Sequence, residues 1–173
     1  DLQKLRLPDV HEKLGYVFDA ITLTKKTLAG RVPLIGFAGA PWTLFCYMVQ
    51  GKGSKTFDGA KAFCFSQPEL AHQLLQMITD TTIAYCKGQA AAGADVVQIF
   101  DSWGGLLSPK DFEEFSMQYI RQIIRAIKAD CLTIIFAKGA WFALESITRT
   151  GANGAGIDWC ITPQLARKFS GNN

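Results

Sequence analysis

Histidine is almost missing from this chain: only His11 and His72 occur among 173 residues. They lie far apart, and neither stands at ligand spacing from a cysteine or a carboxylate, so no metal is expected. The same scarcity removes most schemes in which a histidine activates a serine or cysteine nucleophile. A strong charge of one sign is also lacking. The net charge is +3, and lysines and arginines are scattered along the chain. That leaves no electrostatic footprint for nucleic acid but permits a small anionic ligand. No apolar run approaches the roughly 18 residues that span a bilayer, and the opening Asp-Leu-Gln-Lys-Leu-Arg lacks the apolar core of a signal peptide. No membrane association is therefore expected. Paired cysteines are absent as well. The five present, Cys46, Cys64, Cys86, Cys131 and Cys160, are widely spaced and form no C-x-x-C pair, which reads as reduced thiols in a cytosolic protein.

What is present suits one globular domain, 1–173, with 49% hydrophobic and 12% aromatic residues and enough length to bury a core. Four short apolar runs, 33–37, 95–100, 132–137 and 154–159, are each followed by glycine, proline or serine and then by a helical pattern. They predict strands. Being nearly continuous in Val, Ile, Leu and Phe, they are expected to be buried on both faces, as in a parallel sheet. Helices are predicted over 11–28, closed by Gly30, over 68–92, stopped at Gly93, and over 109–129, capped by Ser108. In the last of these Phe112, Phe115, Tyr119, Ile120, Ile123, Ile124 and Ile127 recur at steps of three and four. Alternating strand and helix means an α/β fold. A closed eight-stranded βα barrel takes about 250 residues, whereas an open doubly wound sheet is finished in this length; pattern alone leaves both open. The first residue is not Met and the last residues trail off after a helix, which suggests truncation.

Among motifs, Gly51-Lys52-Gly53-Ser54-Lys55 superficially resembles a phosphate loop. It has Cys46 where the P-loop needs glycine and Gly53 where it needs Ser or Thr, and the dinucleotide pattern would need glycine at Thr56. It reads as a flexible turn. Chemistry is better sought at strand ends. In Gly36-Phe37-Ala38-Gly39-Ala40-Pro41-Trp42-Thr43 a strand runs through a glycine turn into a helix whose first turn favours a carboxylate, and Tyr47 follows one turn later. In Ile99-Phe100-Asp101-Ser102-Trp103-Gly104-Gly105 a buried strand ends in polar groups, and Ser102 is placed to donate to a carboxylate. The residues alone leave Tyr47, Ser102 and Asp101 open between ligand binding and local hydrogen bonding. Lys138 sits where Schiff-base lysines occur in barrels, though such a lysine is more often an ion-pair partner or solvated.

Taken together, the 33–44 segment, Tyr47-Met48-Val49, Gly53-Ser54-Lys55, Gly88-Gln89, Ala92-Gly93-Ala94, the 99–105 segment, Phe115-Ser116, Phe136-Ala137-Lys138 and Gly156-Ile157-Asp158-Trp159 resemble the uroporphyrinogen decarboxylase family. The resemblance covers essentially the whole chain. It implies part of a TIM-type βα barrel, about four of eight units, with these strands looking like the third to the sixth. It also implies a cytoplasmic enzyme, usually a homodimer, that removes four acetate carboxyls from uroporphyrinogen III to give coproporphyrinogen III in heme biosynthesis, with no metal or organic cofactor. By position, Tyr47 matches the family's cleft-lining tyrosine, Ser102 its substrate-binding Ser or Thr, and Phe37 and Gly39 residues of the cleft wall. Ala38 departs from the serine frequent there. The family's arginine motif, its aspartate for the pyrrole N–H groups and its late histidine match nothing here, so no catalytic residue is assigned and the chain is expected to be inactive alone. Two rivals remain. Related cobalamin-dependent methyltransferases share the barrel but hold zinc with His and Cys, and a non-catalytic half-barrel would bind a partner or tetrapyrrole without turnover.

Overall fold

In residues 2–171, which the computed structural model describes, the strands are separated by one or more helices. In chain order they are α1 (Val10–Leu28), β1 (Ile35–Gly39), α2 (Pro41–Gln50), α3 (Asp58–Ser66), α4 (Pro68–Ala91), β2 (Val96–Asp101), α5 (Pro109–Phe112), α6 (Gln118–Ile127), β3 (Leu132–Ala137), α7 (Leu144–Thr148), β4 (Gly154–Gly156) and α8 (Pro163–Ser170). Local chemistry sets the boundaries. Asp9 caps α1 by accepting from the Glu12 amide at 3.0 Å. Proline opens α2, α4, α5 and α8 in the first turn, where its missing N–H has no partner to lose.

The four strands form one parallel sheet in the order β1-β2-β3-β4, with Phe37 opposite Gln98 and Phe100 opposite Phe136. This sequential order has no switch point, which is the arrangement of a barrel wall and not of a doubly wound sheet. Among the described residues β1 and β4 each pair on one side only. One face of the sheet lies under the helices. Gly36 and Ala38, Val97 and Ile99, and Thr133 and Ile135 are buried there. α6 shows how the cover is built: Ile120, Ile123, Ile124 and Ile127 are all fully buried on one stripe, each worth about 2 to 3 kcal/mol. Gly88 lets α1 approach α4, since a Cβ there would run into the Phe18 ring.

The expectation that the strands are buried on both faces is corrected. Ile35 is 51% exposed, Phe37 64% and Leu132 54%, because all the helices that cover the sheet lie on the opposite side. Other boundaries also move. β1 starts at Ile35, two residues late, because Pro33 has no N–H and the Leu34 amide donates to the Asp95 carboxylate at 2.7 Å. β4 stops at Gly156, since Asp158 turns the chain by accepting from the Gly139 and Cys160 amides at 2.6 and 2.9 Å. The helix expected over 109–129 is interrupted by a wide π-type turn, Glu113–Met117, and ends at Ile127. α1 is closed by Ala29 in the left-handed region (φ 50°), with Gly30 (φ 77°) following.

Candidate functional site

Strand parity places the aromatic side chains. Residues alternate between faces, so Phe37, Phe100 and Phe136 share the open face near the carboxyl ends of their strands. Their rings meet edge-on, Phe37 to Phe100 at 6.0 Å and Phe100 to Phe136 at 5.8 Å between centroids, a favourable aromatic geometry. Phe37 and Phe100, with Gly39, Thr43 and Ser102, line a cavity of about 370 Å³. Gly39 leaves room for the Leu44 side chain, which α2 brings back over the strand end to within 2.9 Å of where a Cβ would stand. Among the described residues no group hydrogen-bonds to the Ser102 hydroxyl. An unpaired hydroxyl above an apolar aromatic floor can hold the polar edge of a flat ligand.

The sequence-expected residues thus divide. Phe37, Gly39 and Ser102 come together at one cavity. Tyr47 lines a neighbouring apolar groove of about 340 Å³ with Leu44, Met48, Leu74 and Ile78. Its ring lies edge-on to the Trp103 indole at 6.3 Å and to Phe57 at 5.5 Å, and Leu44, which shares its groove, packs against Gly39.

Asp101 points the other way from Ser102, into the helix layer, where it is fully buried. Thr43 Oγ1 donates to its Oδ1 at 2.7 Å and Ser116 Oγ to its Oδ2 at 2.5 Å. Burial pushes its carboxyl up to about 6, against the hydrogen bonds from Ser116 and Thr43 that favour the anion. The Trp103 amide in turn donates to Thr43 Oγ1 at 3.3 Å, and the Trp42 indole donates to the Trp103 carbonyl at 3.1 Å. The residues on both sides of Ser102 are therefore tied to the start of α2. Phe100, Phe136, Thr43 and Ser116 were not anticipated. Parity counted from the buried Val97 and Ile99 separates Asp101 from Phe100 and Ser102, whereas the Thr43 and Ser116 contacts arise only from folding.

A second, smaller pocket of about 200 Å³ adjoins Ser102 and is lined by Trp103, Gly105, Leu106, Lys138, Gly139, Asp158, Trp159 and Cys160. Partial burial raises the Asp158 carboxyl, but the Cys160 and Gly139 amides and the Lys138 charge outweigh it and hold it below its ordinary value. The other sequence candidates are structural. His72 lies between helices, its Nδ1 2.6 Å from the Tyr119 hydroxyl and its ring stacked on Phe115 at 5.2 Å. Residues 51–57 form the turn between α2 and α3, with Ser54 Oγ accepting from the Thr56 and Phe57 amides. The five cysteines form no disulfide. Among the described residues no three metal-ligating side chains converge, and no helix is long and apolar enough to cross a membrane.

A one-sided parallel sheet with its open, aromatic-floored face ending in a hydroxyl and glycine turns defines a segment of a βα barrel with its site at the carboxyl ends of the strands. Comparison with known proteins narrows this. The sequence model of the uroporphyrinogen decarboxylase family matches residues 1–173. Uroporphyrinogen decarboxylase of Christiangramia forsetii is 57% identical over 170 residues, covering 98% of this chain and 50% of that protein. The Flavobacterium johnsoniae protein of the same name is 57% identical over 173 residues, covering 100% and 51%. The Homo sapiens one is 47% identical over 180 residues, covering 99% and 49%. The chain belongs to the uroporphyrinogen decarboxylase family, and it spans about half the length of the curated relatives it matches. Among solved structures, a methyltransferase from Methanosarcina mazei superposes with a TM-score of 0.86 at 20% identity, over 99% of this chain and 50% of that one. That likeness bears on the fold alone.

Proposed function

We propose that this chain provides part of the substrate wall of a uroporphyrinogen decarboxylase, the enzyme that takes four acetate carboxyls from uroporphyrinogen III to give coproporphyrinogen III. The observation that carries the proposal is the cavity at the strand ends, where the family-matched Phe37, Gly39 and Ser102 sit together over an aromatic floor. A largely apolar macrocycle with polar arms suits that surface. Protonation of a pyrrole ring creates an electron sink: the bond from an acetate arm to its carboxyl breaks, carbon dioxide leaves, and the electron pair enters the ring to leave an exocyclic methylene, which a second proton converts to a methyl as the ring loses the proton it first took up. The residues of this chain would support the chemistry by position: the phenylalanine row excludes water, and Ser102 and Tyr47, whose hydroxyls have no hydrogen-bond partner among the described residues, would meet polar arms.

The residues that handle the proton and most of the carboxylates are proposed to lie in the portion by which the relatives exceed this chain, so the chain alone would bind and not turn over. A cytoplasmic homodimer is the expected setting of the whole enzyme. The test is to follow coproporphyrinogen formation by fluorescence after oxidation, first with the chain alone and then with the chain joined to the remaining segments of a relative. Activity in the joined protein is the expected result. Its absence, with folding intact and porphyrin still bound, would favour a binding module instead.

A further inference from the structure

Lys138 is the last residue before the turn after β3, and the fold holds its backbone from three sides. Its N–H donates to the Asp101 carbonyl at 3.0 Å, and its carbonyl accepts from the Gly105 amide at 3.0 Å. Gly105 passes so close that a Cβ would stand 2.6 Å from the Lys138 carbonyl oxygen. On the third side the Asp158 carboxylate ties the neighbouring Gly139 amide to the chain leaving β4. Both Asp158 oxygens are thereby engaged with backbone amides, and among the described residues no carboxylate lies within ion-pair distance of the Lys138 ammonium. That ammonium instead lies 5.4 Å from the centre of the Trp159 ring, which is itself 81% exposed. Asp158 feels the Lys138 charge from beyond ion-pair distance, but with both its oxygens on backbone amides it leaves the ammonium N–H groups, set beside an indole on a fixed backbone, open to an anion.

The pocket so formed measures about 200 Å³, below the roughly 300 to 1,000 Å³ that enclose a whole small molecule. It fits an arm and not a body. Ser102 lines both this pocket and the larger aromatic-floored cavity, so the two are adjoining parts of one surface. We infer that Lys138, with Ser102 and Trp159, forms a subsite for a short carboxylate arm of a ligand whose macrocyclic body occupies the neighbouring cavity. The inference rests on the tetrapyrrole reading and assigns one of its binding contacts.

The test is titration of the chain with uroporphyrin, an air-stable octacarboxylate, followed by the porphyrin absorbance shift, with circular dichroism confirming that each variant is folded. Lys138→Gln should weaken binding about tenfold, the scale of one charge-assisted hydrogen bond. Lys138→Arg should recover most of it, and the gap should narrow as salt is raised. Lys52→Gln, which removes the same charge from the exposed 51–57 turn, should leave binding unchanged. Equal binding by wild type and Lys138→Gln, or equal weakening by Lys52→Gln, would overturn the subsite while leaving the tetrapyrrole reading intact. No uroporphyrin binding by the wild-type chain would remove both.

Discussion

Replacing Asp101 with asparagine should remove part of the pH dependence of this chain's stability. The carboxyl is fully buried, and its value rises from 3.8 to about 6 because burial disfavours the charge more than the Ser116 and Thr43 hydrogen bonds favour it. A raised value in the fold means that the native state holds the proton more tightly than the unfolded chain. Its contribution is therefore complete below the unfolded value, falls as pH rises from about 4, and is gone above about 6. A rise of that size corresponds to about 3 kcal/mol. Asparagine carries no charge at any pH and keeps one oxygen to accept from Thr43, while the Ser116 hydroxyl can turn to accept from the new amide. Urea unfolding followed by tryptophan fluorescence, at intervals from pH 4 to 8, should show wild type losing about 3 kcal/mol relative to the variant across that range. Taking the difference cancels the other titrating groups. A flat difference, or one in which wild type gains with pH, would refute the burial argument.

Three further perturbations test the placement of the site. Gly105→Ala puts a methyl against the Lys138 carbonyl; since backbone cannot rotate away, it should cost about 2 kcal/mol or more in urea unfolding. Gln89 is buried and caps the outward-facing backbone of Phe37, accepting from its N–H at 3.1 Å and donating to its carbonyl at 3.0 Å. Gln89→Leu should therefore lower stability by about 2 kcal/mol, and an unchanged unfolding midpoint would show the edge to be satisfied by water. Ser102→Ala removes a hydroxyl without a hydrogen-bond partner among the described residues, so stability should stay within about 0.5 kcal/mol while uroporphyrin affinity drops several-fold. A loss of stability instead would make Ser102 a structural residue.

Much of the fold was legible because helix periodicity and strand spacing are local properties. The run 132–137 became β3 at the same bounds, and the isoleucines of α6 are the buried stripe their spacing predicts. Where the reading missed, a distant group decided the outcome. β1 waits for Leu34 because Asp95, 61 residues away, takes its amide. β4 is cut short by Asp158 reaching back to Gly139 across 19 residues. The wide turn inside the 109–129 helix carries Ser116, whose hydroxyl reaches Asp101. None of these partners is encoded near the position it changes.

The strand faces carry a more general point. A continuous apolar run is ambiguous, since it fits a strand covered on both sides or one covered on a single side whose other face is reserved for a ligand or further chain. Residue size resolves the ambiguity in β1: Gly36 and Ala38 are small enough to admit the Gln89 side chain and the helix layer, while Phe37, too large for that side, projects from the open one. β2 repeats the division with Val97 and Ile99 under the helices and Phe100 and Ser102 on the free surface. The two faces thus answer to different demands. Substitutions on the first should change unfolding free energy, whereas Phe37, Phe100 and Phe136, meeting mainly one another on the open side, should change ligand affinity and assembly before they change the stability of the sheet.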